Sequence, residues 1–385
     1  MTKLIVRSLL RHPVRSLLTL GSLTVALFLL CFLRSLVTTL EAGVESANRQ
    51  RLWVQSAVSL FVDLPLSYQT KIQAVPGVQR TCKWQWFGGY YQDESNFFAQ
   101  FAVEPEELLD IWPEVEIVEG TAESFLADRR ACIVGRGLAK DFGWQVGDTV
   151  PIIGVLFRKP DGSAWEFEVA GIYEPSQPTI DDRILFFHWD MFEKTMEDAT
   201  GESPNVGVFV LEVAPAANVT EVMAAVDVLF ENGPQRVQTT TEAEFNRQFV
   251  SMVGNVPRLV SFIGGGVLLA IILACVNTML MQAREQLREI GVMKALGFTD
   301  GATGTMLMLQ SLLLVGTGGG LGIALAIGTE RPIGAVLGRY FPGYEIELPT
   351  LLGAIAVTVV LGLFAGAVPA RLAASLKTVE AMRPH

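Results

Sequence analysis

The sequence predicts an α-helical membrane protein with four transmembrane helices, plus a mixed α/β extracytoplasmic domain on a helical stalk. Three observations predict it. Half of the 385 residues are hydrophobic and only 18% are charged, which is apolar for a soluble chain of this size. Four windows, 17–39, 257–282, 303–328 and 349–370, carry almost no charge. The long segment 40–256 between the first two has instead the polar and alternating patterns of a soluble domain. Each window is long enough for the ~20 apolar residues that cross a ~30 Å hydrocarbon core as a helix. A lipid-exposed segment satisfies its own backbone only as a helix.

Residues 1–16, MTKLIVRSLLRHPVRS, read as a cytoplasmic interfacial helix. Lys3, Arg7, Arg11 and Arg15 recur every four residues, and Leu4, Ile5, Leu9 and Leu10 supply an apolar face. That pattern suits contact with the lipids of an anionic leaflet. Pro13 is expected to bend the chain before the bilayer. Window 17–39 is too long for a signal-peptide core and lacks a small-x-small cleavage site, so it reads as a retained span.

Segment 40–256 is expected outside. It holds 33 acidic and 16 basic residues between 40 and 258, a balance that argues against nucleic-acid binding. Its two ends, LEAGVESANRQRLWV and TTTEAEFNRQFVSMVGN, read as polar helices continuing spans one and two as a stalk. Between them, Leu138 to Trp144 reads as a short helix and turn. VGDTVPII, WEFEVAGIYE and VGVFVLEVA read as strands. ANVTEVMAAVDVLFEN reads as a helix with Val222, Val226 and Leu229 on one face. All seven tryptophans lie here, and KWQWFGGYYQ at 83–92 is the densest aromatic run. Burial in a domain core outweighs a surface for a hydrophobic substrate, because large aromatics are mostly buried. Cys82 and Cys132 fall where a disulfide is permitted, and two isolated cysteines do not establish one.

Spans 257–282, 303–328 and 349–370 are rich in small residues. Gly316/Gly320 and Gly362/Gly366 are spaced four apart, as in closely packed membrane helices. Arg34 sits at the outer end of span one. No line of acids or histidines runs through the spans, as a proton or ion relay requires. Basic residues near the span ends set the orientation. The leader, the 283–302 segment with Arg284, Arg288 and Lys294, and the 371–385 tail with Arg371, Lys377 and Arg383 are expected in the cytoplasm. The 329–348 loop, with Arg331 and Arg339 against three glutamates, is expected outside.

Catalytic signatures are missing from these residues. None of the eight lysines follows a glycine, so there is no P-loop;. His12, His188 and His385 are far apart and form no HExxH;. Gly201-Glu-Ser-Pro-Asn205 lacks the second glycine of a nucleophile elbow. No metal site and no cofactor are expected in this chain.

The stretch NTMLMQAREQLREIGVMKALG, 277–297, carries the most information. A polar Asn277 closes span two, and a short charged helix follows. Leu287, Ile290 and Met293 can share one side, ringed by Arg284, Glu285, Arg288, Glu289 and Lys294. Gly297 offers a C-terminal stop. Such a helix suits a groove on a partner.

Asn277, Arg288-Glu-Ile-Gly291 and Lys294-Ala-Leu-Gly297 resemble the signature of MacB/FtsX-type ABC transporter permeases. The leader RSLLRHPVRSLLTLG and the tail VPARLAASLKTVEAMRP resemble the two ends of that family, with Thr378 where a proline is common. IVGRGLAKDFGWQVGDTVPI with FEVAGIYE is similar to its periplasmic core domain. The resemblance implies a multi-pass protein of the cell inner membrane that pairs with a second permease copy, in a homodimer or a heterodimer with a related permease. It also implies an ABC ATPase subunit that binds the ATP, and an adaptor outside the membrane. ATP-driven movement of the extracytoplasmic domain (mechanotransmission) would export or extract a substrate such as a lipoprotein, a lipid or a hydrophobic compound. The layout, without a fused ATPase, resembles the LolC/LolE type. By the same resemblance, residues 284–297 dock on the ATPase. The alternative is an FtsX-like regulator of a cell-wall hydrolase; a sensor without an ATPase would leave that helix without a partner.

Overall fold

A computed structural model describes residues 13–45, 47–177, 180–252, 256–337 and 343–375. Most of the expected leader helix, and the tail beyond Ser375, lie outside the described residues. The chain divides into a helical unit, 1–40 with 254–385, and an α/β unit, 41–253.

In the helical unit, α1 is described over Pro13–Glu45. The bend expected at Pro13 falls at the edge of the described residues. Among the described residues four helices are long and apolar enough to cross a membrane, over Ser16–Thr39, Arg258–Met281, Asp300–Leu337 and Leu348–Arg371. The third runs to Leu337, past the expected helix end at 328, so residues 329–337 of the expected 329–348 loop are helical.

The α/β unit contains, in order, β1 (Arg51–Ser56), α2 (Tyr68–Gln73), β2 (Val78–Trp86), β3 (Gly89–Tyr91), β4 (Ala99–Val103) and α3 (Pro105–Ile111). Next come β5 (Val115–Gly120), α4 (Ala122–Ala127), β6 (Ala131–Gly135), α5 (Arg136–Phe142), β7 (Thr149–Gly154) and β8 (Trp165–Pro175). It ends with β9 (Ile184–His188), α6 (Trp189–Thr200), β10 (Val208–Val213), α7 (Val219–Leu229), β11 (Val237–Thr241) and α8 (Glu242–Met252). One mixed sheet has the order β11-β1-β10-β2-β4-β9-β6-β8-β7-β3, and β5 pairs with β8. The β4–β9 and β6–β8 pairs are parallel.

Helices cover both faces of this sheet. Leu52, Val54, Phe209, Leu211, Cys132, Val134, Leu185 and Phe187 point to one core, with Tyr68, Leu138, Trp189 and Val226 of the helices. Trp53, Val208, Val210, Ile133 and Phe186 point to the other, with Leu108, Ile111 and Phe125. Strands buried on both faces read as continuous apolar runs, which is why β6, β9 and β10 lack polar alternation. At the sheet's far side β7 alternates exposed and buried residues throughout.

Two stalk readings change. RQRLWV is not helical, because β1 starts at Arg51. TTT is the end of β11, and helix is described over Glu242–Met252, with 253–255 outside the described residues. On α7 the buried residues are Val222 and Val226, while Leu229 is exposed and Phe230, just past the helix, is buried. The aromatic run is mainly core: Trp84 and Phe87 are buried. Cys82 and Cys132 are free, buried thiols belonging to the two different cores.

The helical unit continues with α9 (Val256–Glu285), α10 (Leu287–Ala295), α11 (Asp300–Leu337) and α12 (Leu348–Ser375). Glycines set its closest approaches. A Cβ on Gly318 would meet Leu23 of α1, and one on Gly322 would meet the Thr24 carbonyl and Leu27. Gly319 faces Thr358, Gly362 faces Leu312, and Gly366 faces Met308 and Ser311. Hydroxyls join the same seams: Thr24 Oγ1 donates to Gly318 O (3.2 Å) and Ser311 Oγ to Gly362 O (2.9 Å). Gly316 and Gly320, the other pair four apart, have nothing within 4 Å.

Candidate functional site

Within the segment 284–300, the nine-residue helix α10 is held between two longer ones. A helix this short is not stable alone and needs tertiary packing. Ile290 and Met293, three apart, lie on one side and meet Leu307 of α11. Ile290 is only 2% exposed. The C-terminus closes as a Schellman motif: Phe298 N–H donates to Met293 O (3.1 Å) and Gly297 N–H to Lys294 O (3.1 Å). This requires the left-handed backbone at Gly297, φ +94°, which glycine adopts without a Cβ clash. Thr299 Oγ1 then accepts from Ala302 N (3.3 Å) and caps α11;. Lys294 turns inward, 5% exposed, and its Nζ pairs with Asp300 Oδ1 at 2.7 Å. The Asp300 carboxylate in turn sits at the N-terminus of α11, where the helix dipole favours it.

This geometry sorts the sequence-derived residues. Arg284 and Glu285 are exposed. The side chains of Leu287, Arg288 and Glu289 lie outside the described residues. Ile290 and Met293 are not on the free face, because their i,i+3 ridge is used to hold α10 on α11. Lys294 is likewise committed to Asp300. Among the described side chains, the exposed apolar ones here are instead Val292, Leu296 and Phe298, with Leu296 75% exposed. The i,i+4 spacing of Val292 and Leu296 was a legible signal for them. Choosing between the two ridges required knowing that α11 packs on one of them.

His188, the sole histidine among the described residues, is a packing group. Its Nε2 is 2.6 Å from Phe125 O, and burial lowers its pKa. Burial likewise pushes the Cys82 and Cys132 thiols up, away from the reactive thiolate;.

Residues 16–229 match the family model of the MacB-like periplasmic core domain, and residues 261–378 match that of the FtsX-like permease C-terminal. The first match alone covers more than half of the chain. The chain belongs to the MacB/FtsX-type family of ABC transporter permeases. A relative, an uncharacterized ABC transporter permease of Methanocaldococcus jannaschii, is 26% identical over 81% of this permease and 77% of its own length. The macrolide export ATP-binding/permease protein MacB of Nitrosomonas europaea is 29% identical over 45% of this permease. There the match spans only 26% of the relative. The crystal structure of the periplasmic region of MacB from Actinobacillus actinomycetemcomitans aligns with a TM-score of 0.40 and 10% identity, over 54% of this permease and 95% of that chain.

Proposed function

We propose that this membrane permease couples ATP hydrolysis by a separate ATPase subunit to movement of its α/β domain. That movement drives export or extraction of a substrate such as a lipoprotein, a lipid or a hydrophobic compound. It works beside a second permease copy and in contact with membrane lipids, with an adaptor as a further partner. The α/β domain and both ends of the chain lie on opposite sides of the cell inner membrane, with the ends in the cytoplasm. Catalysis belongs to the ATPase, since these residues contain no P-loop. Spans without acids or histidines at depth are consistent with work delivered through the α/β domain rather than an ion path through the bundle.

The observation that carries the reading is the sorting of α10. A rigidly capped helix spends one ridge on its own bundle and leaves Val292, Leu296 and Phe298 free beside exposed Arg284 and Glu285. This is the form of a helix-in-groove contact. The test is the double variant Val292→Asp/Leu296→Asp. An unpaired charge in a desolvated interface costs about 2–5 kcal/mol, so ATPase co-purification and stimulated turnover are lost while membrane insertion and yield stay normal. Wild-type binding and turnover in that variant would refute the docking face. Ile290→Asp is not a clean test, because it puts the charge against Leu307 inside the bundle.

A further inference from the structure

The first span leads by α1 into β1, and the second span is preceded by α8. Within the α/β domain these two segments are bound to each other at three successive levels. At the first, Arg51 is buried (3% exposed) between two carboxylates. Its Nη1 donates to both Glu242 oxygens (2.9 and 3.1 Å), and its Nη2 donates to Glu114 Oε2 (2.9 Å) and Ile111 O (2.6 Å). The guanidinium lies over the Trp112 ring at 4.6 Å. Asn48 N–H also donates to Glu242 Oε2 at 2.7 Å. At the second level, Trp53 stacks on Phe245, with centroids 4.0 Å apart and planes 9° from parallel. At the third, Gln55 Nε2 donates to Gln248 Oε1 at 2.8 Å.

The register explains itself. Residues 51, 53 and 55 share one face of a strand, and residues 242, 245 and 248 lie about one turn apart on a helix. Each pair is chemically matched: charge to charge, ring to ring, amide to amide. The triad has two carboxylates for one guanidinium. Glu242 is the first residue of α8, so the helix dipole and the Asn48 N–H offset the second negative charge. Removing Arg51 would leave the largely buried Glu114 and Glu242 carboxylates without their shared cation;.

We propose that Arg51 is the positioning residue of a joint that stays closed throughout the transport cycle. It makes β1 and α8 one lever, so that the α/β domain receives the movements of spans one and two together. This rests on the mechanical coupling proposed above. Bidentate guanidinium geometry suits such a joint, because it fixes direction as well as distance.

The experiment uses the full chain with its ATPase in lipid nanodiscs. Gln55→Cys with Gln248→Cys allows the third level to be bridged by a short bifunctional methanethiosulfonate and released by reductant. Bridging is expected to leave ATPase stimulation and the ATP-driven displacement of a spin label on the α/β domain unchanged. Adding Arg51→Met is expected to abolish the displacement when the bridge is open and to restore it when the bridge is closed. Loss of displacement on bridging the otherwise wild-type chain would show that the joint must open, and would overturn the proposal. Full displacement in unbridged Arg51→Met, or no rescue on bridging, would overturn it too. If Arg51→Met does not accumulate, Glu242→Gln replaces it with the same outcomes. The bridging rate without ATP separates this idea from the functional reading: it must fall in Arg51→Met, and an unchanged rate sinks the joint. Absence of any ATP-driven displacement in the wild type would sink the coupling instead.

Discussion

Burial pushes the carboxyl of Asp181 up from 3.8 to about 6, against the Arg183 N–H that donates to it and with help from the neighbouring Asp182 charge. The segment is pinned close to the sheet by the Tyr173 hydroxyl, which donates to Asp181 O at 3.1 Å and to Ile184 O at 3.3 Å. Because the folded value lies above the unfolded one, the neutral acid is the form the fold prefers. Its contribution is complete below 3.8 and is lost as pH rises through about 6;. At neutral pH the ionised carboxylate is therefore a local cost of at most about 3 kcal/mol. Asparagine keeps an acceptor for the Arg183 N–H and carries no charge. Asp181→Asn is expected to raise the unfolding midpoint of the α/β domain at neutral pH, with the gain disappearing below the unfolded value. Thermal unfolding of the purified chain across that range checks it, and a gain independent of pH would contradict it.

Among the elements, the glycine seams make the sharpest contrast. Gly322 lies against the Thr24 carbonyl and Leu27 of α1, and Gly320, two residues earlier, touches nothing within 4 Å. Gly322→Leu must push α1 and α11 apart, an overpacking cost of about 1–3 kcal/mol. Gly320→Leu only adds apolar surface and stays within about 0.5 kcal/mol. Thermal stability in mild detergent separates them, and equal behaviour would refute the seam. Sequence spacing alone suggested Gly316/Gly320 and Gly362/Gly366; only the latter pair packs, because spacing marks a face without saying which neighbour it meets. The same boundary recurs elsewhere. Strands β7, β8 and β10 were legible from alternation or apolar runs, and the Gly297 stop from its residue type. β1 falls at the end of a segment that reads as polar helix, although Arg51, Trp53 and Gln55 alternate along a strand and share one of its faces;. They are covered by α8, a long-range partner that local pattern cannot supply. In the same way, the pattern at 284–297 marks Ile290 and Met293 as an apolar ridge without showing that Leu307 of α11 packs on it.

For the molecule as a whole, charge is the feature that predicts orientation. Lys3, Arg7, Arg11 and Arg15 precede span one, and Arg284, Arg288 and Lys294 follow span two, while 40–258 carries 33 acids against 16 basic residues. Basic flanks are retained in the cytoplasm, so the α/β domain and the α10 segment are expected on opposite sides. Cys31, Cys82, Cys132 and Cys275 are all buried, which leaves a low background for thiol labelling. Glu202 and Ala295 are exposed on the two units. A membrane-impermeant maleimide on intact spheroplasts is expected to label Glu202→Cys and to spare Ala295→Cys until the membrane is opened. Labelling of Ala295→Cys from outside would invert the topology and remove the ATPase from reach of α10. Once the membrane is open, the same cysteine reports on docking, since it adjoins Leu296 on the free side of the helix. Bound ATPase should then slow its labelling, and Val292→Asp/Leu296→Asp should abolish that protection. Unchanged labelling with ATPase bound would leave the orientation intact and move the contact away from α10.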